Sequence, residues 1–252
     1  MILVFILSLI QGITEFIPIS SSSHLILVSK YLNFNNQNLS LDVSLHIGSF
    51  LAVVLFFKKD IFSFIKNKVL FIKILFSSLP VMVVGYFLIK FNLIEQLRNI
   101  KIIGWTTIIF GIVLYVSDRF KNNKNINENF NFKSVIFIGF FQILSLIPGV
   151  SRSGITITAA RFLNFKRTES AKISFLLSIP TLAAVSLFGL NNIINEKNLE
   201  FSFLNIFAIF LSFIFSLITI KYFLKYLKNF NLNVFVFYRL ILGVTILSIV
   251  YL

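Results

Sequence analysis

Apolar runs of membrane-crossing length divide this chain, and two polar knots interrupt shorter ones. Runs near 41–57, 69–89, 102–117, 173–190, 203–220 and 234–252 approach the roughly 20 residues a helix needs to cross a bilayer. Two other stretches are broken. Residues 2–18 are apolar except for Gln11, Thr14 and Glu15, and Pro18 ends any helix there. The serine run 20–23 caps a new helix from His24 to Leu32. Residues 134–147 lead in the same way to a second knot, Pro148 to Thr156, and a short arm, 155–163. No arm is long enough to span, so each pair reads as a re-entrant hairpin with a Pro/Ser tip.

The two halves echo each other. Pro18 and Pro148 lie 130 positions apart, as do Ser44 and Ser174. Tyr31-Leu32-Asn33-Phe34 returns as Phe162-Leu163-Asn164-Phe165. Each half is then a hairpin plus three crossings, and an odd number of crossings inverts the second half. The predicted fold is an all-α polytopic membrane protein built of two inverted repeats, a design used by transporters with broken helices. One integral membrane domain is expected over 1–252, with halves of about 1–118 and 134–252 and a linker of about 118–133.

Composition agrees. Hydrophobic residues make up 57%, charged residues 13% and mean hydropathy is +0.92, whereas soluble domains carry about 25% charge. The net charge of +14 resides in stretches between apolar runs, which is the positive-inside pattern and argues against nucleic acid. Basic stretches 58–68, 118–133, 164–172 and 221–228 are expected in the cytoplasm. The neutral loops 33–40 and 191–200 and both termini are then outside, and only 90–101 fits poorly. There is no cysteine, which excludes disulfides and thiolate chemistry. The opening MILVFILSLI has no basic n-region and no small-residue cleavage site, so it is expected to be mature protein.

Ionisable groups within apolar runs mark functional sites by default. Gln11 and Glu15 are four apart and share a helix face. Ser20, Ser21 and His24 gather on one side of the next arm, and Arg152, Ser153 and Thr156 repeat that logic in the other hairpin. An arginine fork and helix N-termini suit a phosphate. Glu15 suits Mg²⁺, His24 or Glu15 a general base, and a tip serine a nucleophile. His46 and Arg239 are expected to be structural, Arg239 at a membrane boundary, and Lys73 to snorkel near a span end.

At these residues the chain resembles the bacterial undecaprenyl-diphosphatase family, the bacitracin-resistance proteins called BacA. The resemblance rests on QGITEFIPISSSSHLIL (11–27), LHIGSFLAVVLFFKKDI (45–61), GFFQILSLIPGVSRSGIT (139–156) and SFLLSIP (174–180). It implies hydrolysis of undecaprenyl diphosphate to the monophosphate at the outer face of the bacterial cytoplasmic membrane. That reaction recycles the carrier lipid for peptidoglycan synthesis and confers bacitracin resistance. It further implies a Mg²⁺ or Ca²⁺ requirement, with Glu15 and Gln11 as metal ligands. Glu15, Ser21, His24 and Arg152 are the implied catalytic groups, and Ser22, Ser151, Arg152, Ser153 and Thr156 hold the phosphates. A homodimer in the lipid bilayer is a candidate assembly. Three positions depart from the family pattern: Gln11 where some members carry glutamate, Ser23 where glycine is usual, and Lys172 where an acid is common.

Two rivals come from other classes. A polyprenyl-phosphate transporter or flippase would share the inverted-repeat design. A type-2 phosphatidic acid phosphatase needs a nucleophilic histidine soon after its serine–arginine pair. The only histidines here are His24 and His46, which excludes it.

Overall fold

The computed structural model describes residues 1–31, 39–66, 68–91, 93–195 and 203–251. These form thirteen α-helices and one 3₁₀ turn. The first hairpin is α1 (Ile2–Thr14) and α2 (Ser21–Tyr31). It leads to α3 (Leu39–Phe56), a short amphipathic α4 (Lys58–Lys66) and α5 (Lys68–Lys90). Next come α6 (Ile94–Leu97), α7 (Ile100–Asp118) and α8 (Ile126–Asn129). The second hairpin is α9 (Phe132–Ile143), extended by a 3₁₀ turn (Leu144–Leu146), and α10 (Arg152–Phe162). Three helices close the chain: α11 (Arg167–Asn195), α12 (Phe203–Asn229) and α13 (Asn233–Tyr251).

Five of these, α5, α7, α11, α12 and α13, are long and apolar enough to cross a membrane. Large side chains such as Phe76, Phe87, Phe210 and Ile241 stand exposed on them, a surface that requires lipid. The protein is a multi-pass membrane protein. The sixth expected crossing, α3, has 18 residues, about 27 Å of helix, slightly under the hydrocarbon thickness. It packs between α11 and α12 instead of lying at the rim. There Gly48 lets the backbones close, since a Cβ would collide with the Ile209 carbonyl. Ser49, Ser212 and Ser216 exchange hydrogen bonds across the same seam, as small and hydroxylated residues do between membrane helices.

Several basic stretches expected as loops are helical. Lys58–Lys66 is α4, and Lys221, Lys225 and Lys228 ride the last turns of α12. Helix α11 continues to Asn195, so only part of the expected loop 191–200 remains, and 196–200 lie outside the described residues, as do 33–38. Hydrophobicity ended the predicted spans, whereas helices end where backbone hydrogen bonds can no longer be made. Lysines on a helix that outruns the apolar slab do not stop it.

One polar cluster pins the base of the second hairpin. Arg161, fully buried, donates to the carbonyls of Asp118, Phe120, Lys121 and Phe165, and Asp118 also takes Arg167 at 2.7 Å and the Leu232 amide at 3.1 Å. This fastens α10 to α7, α11 and the turn before α13.

Candidate active site

Each hairpin turns by the same device. After α1 the chain passes Pro18 and reaches Ser20 at φ 73°, and α2 begins at the next residue. After the 3₁₀ turn it passes Pro148 and Gly149, reaches Ser151 at φ 72°, and α10 begins. A left-handed serine costs on the order of 1–3 kcal/mol and concentrates at functional sites. Gly149 has φ 94°, and a Cβ there would strike the Thr106 hydroxyl.

The strained tips are held by buried donors. Arg239, fully buried, donates to the carbonyls of Pro18 (3.3 Å), Gly149 (2.8 Å), Val150 (3.1 Å) and Thr107 (3.2 Å). It therefore grips both tips at once from the protein interior instead of snorkelling outward. Thr106 adds a bond to the Pro148 carbonyl at 2.6 Å, and Ser153 Oγ donates across to Ile17 O at 2.9 Å. Lys73, near the start of α5, donates to the Phe130 carbonyl at 2.5 Å.

Between the tips lies a buried ion pair. Arg152 Nη2 is 2.7 Å from Glu15 Oε1. Glu15 Oε2 accepts from Ser21 Oγ at 2.7 Å and from Gln11 Nε2 at 3.1 Å. Gln11 Nε2 also lies 3.1 Å from His46 Nδ1. The Gln11 Oε1 atom is buried without a partner. These groups open on a cavity of about 220 Å³ whose polar wall includes Glu15, Ser21, Ser22, Ser151 and Arg152. His46, expected to be structural, lines the same cavity, as do Gln142 and Thr181.

Glu15, Ser21 and Arg152 are thus joined, with Gln11 behind Glu15. Ser22 Oγ is 3.3 Å from Ser20 Oγ and faces the cavity. Ser151 caps α10 by accepting from the Gly154 amide at 3.1 Å. Thr156 is wired inward, to the Arg152 carbonyl at 2.8 Å and Ser174 Oγ at 2.7 Å, and neither it nor Ser153 is part of the cavity wall. His24 turns away from Ser21. Its Nδ1 takes the Ser20 carbonyl at 2.7 Å and its Nε2 the Tyr238 hydroxyl at 2.5 Å. The cause is local: the helix starts after Ser20, so that carbonyl stands one turn before the imidazole, and Ser21 is drawn to Glu15.

Sequence reasoning missed Gln142, Tyr238 and the reach of Arg239. For Gln142 a signal was present. It precedes Ser151 by nine residues, and Gln11 precedes Ser20 by nine.

Comparison with known proteins adds full-length relatives. Over 249 residues, 98% of this chain and 97% of the relative, it is 48% identical to an undecaprenyl-diphosphatase of Pelagibacter ubique. Proteins of the same name from Campylobacter curvus and Aliivibrio salmonicida are 41% and 40% identical, each across 97% or more of this chain and 96% or more of the relative. Residues 4–245 match the family described as Bacitracin resistance protein BacA. The chain belongs to that family.

Proposed function

We propose that this protein hydrolyses undecaprenyl diphosphate to undecaprenyl phosphate and inorganic phosphate, and so confers bacitracin resistance. The observation that carries the reading is the Glu15–Arg152 pair at 2.7 Å, which joins two hairpin tips beside a cavity lined also by Ser21, Ser22 and Ser151. Neither group repays burial as a structural ion pair alone. A diphosphate entering the cavity takes Arg152 as a bidentate donor and frees the Glu15 carboxylate.

Ser21 is then placed for attack. Its hydroxyl already donates to Glu15 at 2.7 Å, so the carboxylate accepts the proton as Ser21 Oγ bonds to the terminal phosphorus. Glu15 passes that proton to the bridging oxygen as its bond to the terminal phosphorus breaks, and the lipid monophosphate departs. Water then gives a proton to the regenerated carboxylate as its oxygen bonds to the phosphoserine phosphorus; the Ser21 Oγ–P bond breaks, and Glu15 returns the proton to Ser21 Oγ as inorganic phosphate leaves. His24 serves this centre through the Ser20 carbonyl, by holding the strained turn from which Ser21 projects.

A divalent cation, Mg²⁺ or Ca²⁺, fits one corner. No three His, Cys, Asp or Glu side chains converge among the described residues, so Glu15 and the unpartnered Oε1 of Gln11 would hold it, with phosphate oxygens completing its shell. Its contribution would be neutralisation of phosphate charge.

The inverted-repeat arrangement is supported by reciprocal packing. Helix α1 lies on α12 as α9 lies on α5, and α3 lies on α12 as α11 lies on α5. We place the site toward the outer face of the bacterial inner membrane. Single cysteines at Asn36 and Asn192 should react with an impermeant thiol reagent on intact cells, and cysteines at Asn67 and Asn123 should not. An unreactive Asn192 site beside a reactive Asn36 site overturns the inversion.

For the activity, purified protein in detergent should release phosphate from a long-chain polyprenyl diphosphate and lose that activity with chelator. Absence of release from folded protein would instead favour a lipid carrier without hydrolysis.

A further inference from the structure

Gln142 is a cavity residue whose chemistry the mechanism above leaves unused. It lies on the last turn of α9, where the helix tightens into the 3₁₀ turn before Pro148. Its side chain is fully buried, and both amide atoms, Oε1 and Nε2, lack a hydrogen-bond partner. A buried amide left in that state is costly, and native proteins retain few of them without a reason. Gln142 also contributes to the wall that holds Glu15, Ser21 and Arg152.

Its position has a counterpart. Gln11 and Gln142 each precede the left-handed serine of their tip by nine residues. Gln11 has its Nε2 engaged by Glu15 and His46. In the second arm the residue four after the glutamine is Leu146, so no carboxylate stands where Glu15 stands in the first. The Gln142 amide is therefore left over by the fold. Thr181, on the same wall, has its hydroxyl committed to the Leu177 and Ser178 carbonyls.

We infer that Gln142 is a second phosphate ligand of the diphosphatase site, donating from Nε2 to a non-bridging oxygen of the bound diphosphate. This rests on the diphosphatase reading and deepens it. Arg152 and Gln142 approach the cavity from opposite arms of the second hairpin, one charged and one neutral. The side chain is covered in the resting geometry, so it engages the ligand by rotating about its unbranched side-chain bonds. A neutral donor there binds phosphate without adding a second buried charge beside the Glu15–Arg152 pair. The resting protein carries an unsatisfied amide, and the ligand relieves it.

The test uses full-length protein in detergent with a long-chain polyprenyl diphosphate, and inorganic diphosphate as a competitive inhibitor. Gln142→Leu removes the amide and keeps the bulk. The expected result is a KM raised about ten- to a hundred-fold, weaker inhibition by inorganic diphosphate by the same factor, and a melting temperature equal to or above wild type. Gln142→Glu, which sets a carboxylate against the phosphate, should bind more weakly still. If Gln142→Leu fails to insert, Gln142→Asn, which keeps the amide but falls short, should show the KM rise. An unchanged KM with wild-type inhibition in a folded variant overturns the inference, and so does a lowered melting temperature with unchanged KM. No turnover by wild-type protein would instead sink the diphosphatase reading, and this inference with it.

Discussion

At the first tip Ser20 stands at φ 73° and at the second Ser151 at φ 72°, yet the side chains around these turns have different employment. Around the second, hydroxyls are committed to the scaffold: Ser151 to the Gly154 amide, Ser153 to the Ile17 carbonyl, Thr156 to Ser174. Around the first, Ser21 and Gln11 both bond to Glu15, and Ser21 and Glu15 face the cavity. In the proposed mechanism the second tip mounts Arg152, and the first holds the groups proposed to react. A motif rich in serine does not say which hydroxyls are free. Tracing where each donor goes does.

The largest effect is expected at Ser21. Ser21→Ala should lower phosphate release by about 10³-fold or more, because nucleophile and base act as a unit, and the fold should survive. Robust turnover would return the attack to water activated by Glu15 or His24. Next is Arg239→Met, which removes four hydrogen bonds, three of them to carbonyls of the two tips. Thermal unfolding should show a loss of about 2–4 kcal/mol, with turnover down about a hundred-fold as the tips shift. A wild-type melting profile would show that the tips hold themselves. The smallest effect is expected for Thr156→Val, about ten-fold in kcat at unchanged KM, since Thr156 acts through the seat of Arg152. A raised KM with intact kcat would mean that Thr156 touches phosphate directly.

Much of this was legible in the chain. Pro18 and Pro148 break apolar runs too short to span, and both hairpins follow from that alone. Gln11, Glu15 and Arg152 stood out because polar groups in apolar surroundings are costly. The wiring was not legible. Arg239 meets Pro18 across 221 positions, and periodicity carries no information at that range. The same spacing that suggested a Ser21–His24 pair permits both side chains to turn elsewhere, and Glu15 and Tyr238 decide that they do. Gln142 lay inside an apolar run, where only comparison of the two arms exposes it. Buried α3 and lipid-facing α5 look alike in hydropathy, so which helix is central was fixed by packing at Gly48 and Ser49 rather than by composition.

In the proposed mechanism the two tips form one catalytic centre through Glu15 and Arg152. This is tested most directly by phosphate release from a long-chain polyprenyl diphosphate with purified wild-type, Glu15→Gln, Arg152→Ala and doubly substituted protein. One centre predicts that each single change lowers kcat/KM nearly as far as the double does, because either loss disables the same step. Independent effects that multiply in the double variant, or near-normal turnover in either single one, would contradict it.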